Sequence, residues 1–100
     1  MKPAKTGTEV RQSLSDLPNI GEEMARSLES AGIRSPGDLR RVGSIEAAVR
    51  VGPYWPGGSV CSSALSALEG AIRGIRWHLI PKSERARLWQ EYRRRVSGGA

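Results

Sequence analysis

The stretch Ser59-Val60-Cys61-Ser62-Ser63-Ala64-Leu65-Ser66-Ala67-Leu68-Glu69-Gly70-Ala71-Ile72-Arg73-Gly74-Ile75-Arg76 decides the fold. Val60, Ala64, Leu65, Leu68, Ile72 and Ile75 recur with the 3.6-residue period of an amphipathic helix, so the spacing predicts one helix over residues 59–76. Ser63, Ala67, Gly70 and Gly74 form a second stripe of small residues. Each glycine inside a helix costs roughly 1 kcal/mol against alanine. A helix keeps that cost where another backbone approaches closely, so the stripe is the expected close-packing face. Its other use is contact with a second chain. Cys61, next to Val60, reads as a small buried residue. Glu69 and Arg73, four apart with the acid first, make a favourable surface pair.

Shorter helices flank this one on its N-terminal side. Residues 1–8 are small, polar and basic and read as disordered; residues 9–16 can form a short helix through Val10 and Leu14. Leu17-Pro18-Asn19-Ile20-Gly21 is a tight turn: proline removes an amide, and asparagine and glycine tolerate left-handed backbone. A helix over 22–30 follows, with Glu22 and Glu23 in the first turn, where the helix dipole favours acids. Met24 and Leu28 mark its apolar face, and Ala31-Gly32-Ile33 reads as a Schellman ending. Ser35 caps the next helix, Pro36 takes its first position, and Asp38 is placed to reach back to the cap. Gly43 stops it. Ser44 is the expected cap of another helix over 45–51, and residues 52–58, rich in glycine and proline, read as an irregular loop. Trp55 in that loop is expected to cover the core or to meet a partner.

On the C-terminal side, Ser83 is the expected cap of a helix over 84–96 whose apolar stripe is Leu88, Trp89, Tyr92 and Val96. Ser97 to Ala100 read as a flexible tail, leaving residues 9–96 as one helical domain. The chain carries 16 Lys plus Arg against 10 Asp plus Glu. The first 49 residues are balanced, so the whole net charge of +6 comes from residues 73–95. The arginines there, Arg73, Arg76, Arg85, Arg87, Arg93, Arg94 and Arg95, are the candidate anion or partner contacts, because guanidinium pairs bidentately with phosphate or carboxylate. Two readings of this charge stand: a solvated helix face, or a surface for a polyanion or an acidic protein.

One hundred residues fill one domain with one modest core. No segment alternates with the period of a strand, and the fold class expected is all-α, a compact bundle of five or six short helices. No apolar run spans a membrane, and the N-terminus lacks the apolar stretch of a signal peptide. One cysteine and one histidine, Cys61 and His78, exclude a disulfide framework and do not make a structural zinc site by themselves. No phosphate loop or nucleophile–base pairing is legible. The expectation is a cytoplasmic, non-enzymatic protein with no cofactor, no metal and no membrane partner.

Two resemblances sharpen this reading. Leu17-Pro18-Asn19-Ile20-Gly21 followed by a helix resembles a helix-hairpin-helix motif, a fold of helix-hairpin-helix/SAM-like type. In that class the turn amides and the next helix N-terminus hold a DNA phosphate. Here Asn19 replaces the usual first glycine, and Glu22 and Glu23 face the phosphate position, where surface repulsion costs about 1 kcal/mol. The turn residues Pro18, Asn19, Ile20 and Gly21 are therefore expected to form a rigid corner between helices.

The second resemblance spans about residues 14–90. The hairpin turn, Leu28, Ala31-Gly32-Ile33, Asp38-Leu39, Val42-Gly43, Cys61, Leu65 and the run from Ala67 to Trp77 are together similar to the C-terminal domain of the TfoX (Sxy) family. The run Leu68 to Trp77 is its most specific part. The resemblance implies a bacterial regulatory module linked to competence for DNA uptake and transformation, with a co-activator role beside a cyclic-AMP receptor protein. Many members carry a separate N-terminal domain as well; this stretch corresponds to the C-terminal part alone. The partners implied are DNA or a DNA-bound transcription factor. A protein partner, or self-association without nucleic acid, is the other reading.

Overall fold

The structure, a computed structural model, describes residues 13–98. The disorder expected over 1–8 and the start of the 9–16 helix lie outside the described residues. Five α-helices, joined by short 3-10 turns, make up the described chain, and no strand occurs among these residues. They are α1 (Glu22–Ser30), α2 (Pro36–Val42), α3 (Ser44–Val51), α4 (Ser62–Arg73) and α5 (Lys82–Gly98). The all-α expectation holds.

The local signals that end helices act as their chemistry dictates. After α1, Gly32 takes φ +87°, and the Ile33 amide returns to the Leu28 carbonyl at 2.8 Å. This Schellman closure drives Ile33 into the core, where it is 1% exposed. The Ser35 hydroxyl accepts the Asp38 amide at 3.0 Å and so caps α2. Asp38 does not accept the Ser35 backbone amide as a capping-box acid would. Its carboxylate accepts the Arg34 amide at 3.1 Å, one position further out.

Several expectations are corrected. Ser44 does not cap α3: Gly43 holds that position, and Ser44 is buried with its hydroxyl turned to Glu69. Residues 52–58 are not wholly irregular, since Gly52–Tyr54 and Pro56–Gly58 each close a 3-10 turn. The central helix is shorter than its periodicity suggests. Gly74 adopts φ +77° and terminates α4, leaving Ile75 and Arg76 outside it. Left-handed backbone, not close packing, is what Gly74 supplies. Cys61 is exposed at the N-cap of α4, because the helix begins after it and turns its side chain outward. Helix α5 starts before Ser83, with the Pro81 carbonyl accepting the Arg85 amide at 3.0 Å. It runs through Ser97 and Gly98, where a tail was expected, and Val96 stays 47% exposed.

The core surrounds α4, which touches α2, α3, α5 and the turn at Trp77–Leu79. Leu65, Leu68 and Ala71 on α4 meet Leu28, Leu39, Ala47, Ala48 and Val51 from α1 to α3. Leu14, Leu17, Ile20 and Val60 fill the ends. Helix α5 contributes Tyr92, with Leu88 and Trp89 half-buried, and the Trp89 and Tyr92 rings stack at 5.3 Å between centroids. Fully burying one such side chain is worth roughly 1.5–3 kcal/mol, so this shared core is the main force that holds short helices together.

Candidate interaction surfaces

The hairpin turn joins the core through one side chain. Asn19 sits at φ 71°, the left-handed conformation that the usual glycine would supply. Asparagine is among the few other residues that tolerate it. Its side-chain amide nitrogen donates to the Ile75 carbonyl at 2.8 Å and to the Ala67 carbonyl at 3.4 Å. Its oxygen accepts the Trp77 amide at 3.1 Å. The corner is thereby locked to the end of α4. The Ile20 amide is spent on the Leu17 carbonyl, while Glu22 and Glu23 stand exposed at the start of α1.

The four small residues of α4 have different surroundings. A β-carbon on Gly70 would lie 2.5 Å from the Asn19 amide nitrogen and 2.7 Å from the Ile75 carbonyl oxygen. Ala67 is half-buried against Asn19, Ser63 is exposed, and Gly74 lies beyond the helix with no heavy atom within 4 Å of the β-carbon position. Close approach is therefore concentrated at Gly70, and the approaching backbone is the chain's own return from α4.

The seven candidate arginines divide into two groups. Arg73 binds Glu69 at 2.8 Å and Glu84 at 2.9 Å, and these bonds, that to Glu69 first, raise its pKa further. Glu69 also accepts the Ser44 hydroxyl at 2.6 Å, so one chain of polar contacts ties α3, α4 and α5. Arg85 donates to the Ile80 carbonyl at 2.9 Å and lies 5.2 Å from the centre of the Trp77 ring, a cation–π distance. Arg95 pairs with Glu46 of α3. The remaining four, Arg76, Arg87, Arg93 and Arg94, are exposed and make no ion pair with a carboxylate among the described residues. Arg87 and Arg94 are seven apart, which places them on one face of α5 roughly 10 Å apart. Gln90, Arg93, Arg94 and Ser97 line a shallow depression on that outer side.

A groove of about 530 Å³ opens elsewhere, between the hairpin corner, the first half of α4 and Trp77. Met24, Ala64, Ala67, Trp55 and Trp77 give it an apolar lining, and Glu22, Glu23 and Arg76 border it. Neither this groove nor the Asn19 clamp is evident in the sequence, although an asparagine at the hairpin's glycine position signals a residue with a second task. Among the described residues no cluster of His, Cys, Asp and Glu could hold a metal ion, and no helix is long and apolar enough to cross a membrane.

An all-α domain that pins a helix-hairpin corner onto its central helix is the class these features define. The TfoX C-terminal domain family model matches residues 10–92, and the chain belongs to that family. The chain is similar to an uncharacterized protein from Listeria monocytogenes in a triclinic crystal form, with 41% identity, a TM-score of 0.75, and coverage of 87% of this chain and 96% of the other. It is also similar to a protein of unknown function from Listeria monocytogenes in a tetragonal form, with 44% identity, a TM-score of 0.71, and coverage of 80% and 95% respectively. No curated protein matches it.

Proposed function

We propose that this protein is a cytoplasmic, non-enzymatic regulatory binding module that engages an anionic partner through the outer face of α5. In keeping with the family's link to competence, that partner is DNA or a DNA-bound transcription factor. One observation carries the reading: Arg87, Arg93 and Arg94 are exposed on a single helix and have no carboxylate partners among the described residues. Arg73, Arg85 and Arg95 are already committed to internal contacts and hold the helix in place. Arginine left unpaired on a rigid helix is ready for phosphate or carboxylate at little ordering cost.

Binding to a labelled DNA duplex, followed by fluorescence anisotropy at several salt concentrations, tests this. Three neutralised phosphates give a slope of log K against log salt of about −2.7. Replacing Arg87, Arg93 and Arg94 together with alanine is expected to abolish that slope while moving stability by less than about 0.5 kcal/mol per site. Equal binding by the triple variant sinks the proposal. The alternative, a protein-interaction adaptor without nucleic-acid contact, is favoured by the apolar groove. It predicts no duplex binding at any salt concentration.

A further inference from the structure

We infer that the groove beneath the hairpin corner is a docking site for a polypeptide segment that carries a bulky apolar side chain beside a lysine or arginine. Its volume, about 530 Å³, lies in the range of ligand-binding clefts. Two half-buried tryptophans, Trp55 and Trp77, form apolar walls; tryptophan anchors are enriched where proteins meet. On the α4 side the lining side chains are Cys61 at the N-cap, Ser63, Ala64 and Ala67, small enough for a peptide backbone to lie close. Met24 adds an unbranched, adaptable surface.

Charge selects the occupant. Glu22 and Glu23 border the groove, are exposed, and make no ion pair among the described residues. With Arg76 as the one bordering cation among the described residues, the rim they form carries more acid than base. On a chain of net charge +6, this local reversal of sign repels phosphate and attracts a cationic side chain. The same two carboxylates stand where a phosphate-binding hairpin would leave bare amides. The corner has kept the hairpin's shape and exchanged its preferred ligand. This surface shares no residue with the outer face of α5, so two partners, or two parts of one partner, can be held at once.

Selection of random peptides displayed on phage against the whole chain, followed by titration of the synthetic winners, tests the inference. The winners are expected to pair an aromatic or aliphatic residue with a neighbouring Lys or Arg. Glu22→Gln with Glu23→Gln is expected to weaken them about fivefold, the effect of two exposed ion pairs. Ser63→Trp, at an exposed helix position, is expected to block the groove without altering the melting temperature. The Arg87/Arg93/Arg94 triple alanine variant is expected to bind the same peptides normally, which separates this result from the test of α5. The inference is overturned by a selection with no winners, by acidic winners, by displacement of the peptide by duplex DNA from the wild-type and triple variant alike, or by affinities that neither groove variant changes.

Discussion

The side-chain amide of Asn19 occupies the space that a β-carbon on Gly70 would need, 2.5 Å from it. The two residues are 51 apart in sequence, yet each explains the other. Gly70 is bare so that Asn19 can reach the carbonyls of Ala67 and Ile75 and the amide of Trp77.

Gly70→Ala is therefore expected to destabilise the fold, although alanine favours helix by about 1 kcal/mol. The added methyl meets backbone as well as side chain, and overpacking of this kind costs about 1–3 kcal/mol. In a domain of this size the melting temperature falls by roughly 10 °C for 2 kcal/mol. Asn19→Gly keeps the left-handed backbone and removes only the side-chain bonds, so its cost, about 1–3 kcal/mol, reports the clamp alone. The double variant should lose less than the sum, because part of the clash at Gly70 has gone. Additive losses in urea melts count against the coupling.

Ser44→Ala is expected to cost about 1–2 kcal/mol, the loss of a buried hydroxyl bonded to the Glu69 carboxylate at 2.6 Å. Glu84→Gln, which weakens the more exposed end of the same chain of contacts, is expected to cost less than about 0.5 kcal/mol. Equal losses from both variants would mean that the network is governed by its outer pair.

Acid should remove a small part of the stability at Asp38. The Arg34 amide is the main cause that holds this carboxyl below its ordinary pKa, with Arg41 and the Ser35 hydroxyl acting in the same direction. A depressed native pKa stabilises the fold above the unfolded carboxylate value of about 3.9, and that stabilisation disappears as pH falls through the native value. The gap in melting temperature between wild type and Asp38→Ala is therefore expected to be widest at neutral pH and to shrink below about pH 4. A gap that grows on acidification reverses the sign and refutes the account.

Cys61 is expected to react fully with Ellman's reagent in the folded protein, because its side chain is exposed. A thiol that reacts only in denaturant would restore the buried reading drawn from its neighbour Val60.

Much of the fold was legible because its signals are local. Glu22 to Ser30, the Gly32–Ile33 closure and the Ser35 cap follow from residues within a few positions of one another. The misreadings share one cause. Cys61, Ser44 and Gly74 each fit a local pattern, but what decides their role is the position of a helix end or a distant acid. The candidate site was legible only in outline: seven arginines within one window look alike in sequence. Their ion-pair partners, Glu46 for Arg95 and Glu69 with Glu84 for Arg73, lie on helices whose relative placement is set by packing.

The sequence alone determined that this chain is helical, where most of its helices stop, and where its excess charge resides, since periodicity, capping and ionisation act over one or two turns. Tertiary structure decided which glycine admits a neighbour, which arginines lack a carboxylate partner among the described residues, and that Glu22 and Glu23 border an apolar groove at the hairpin corner. Those outcomes depend on distances between segments dozens of residues apart, and such distances exist only once the shared core has fixed the helices against one another.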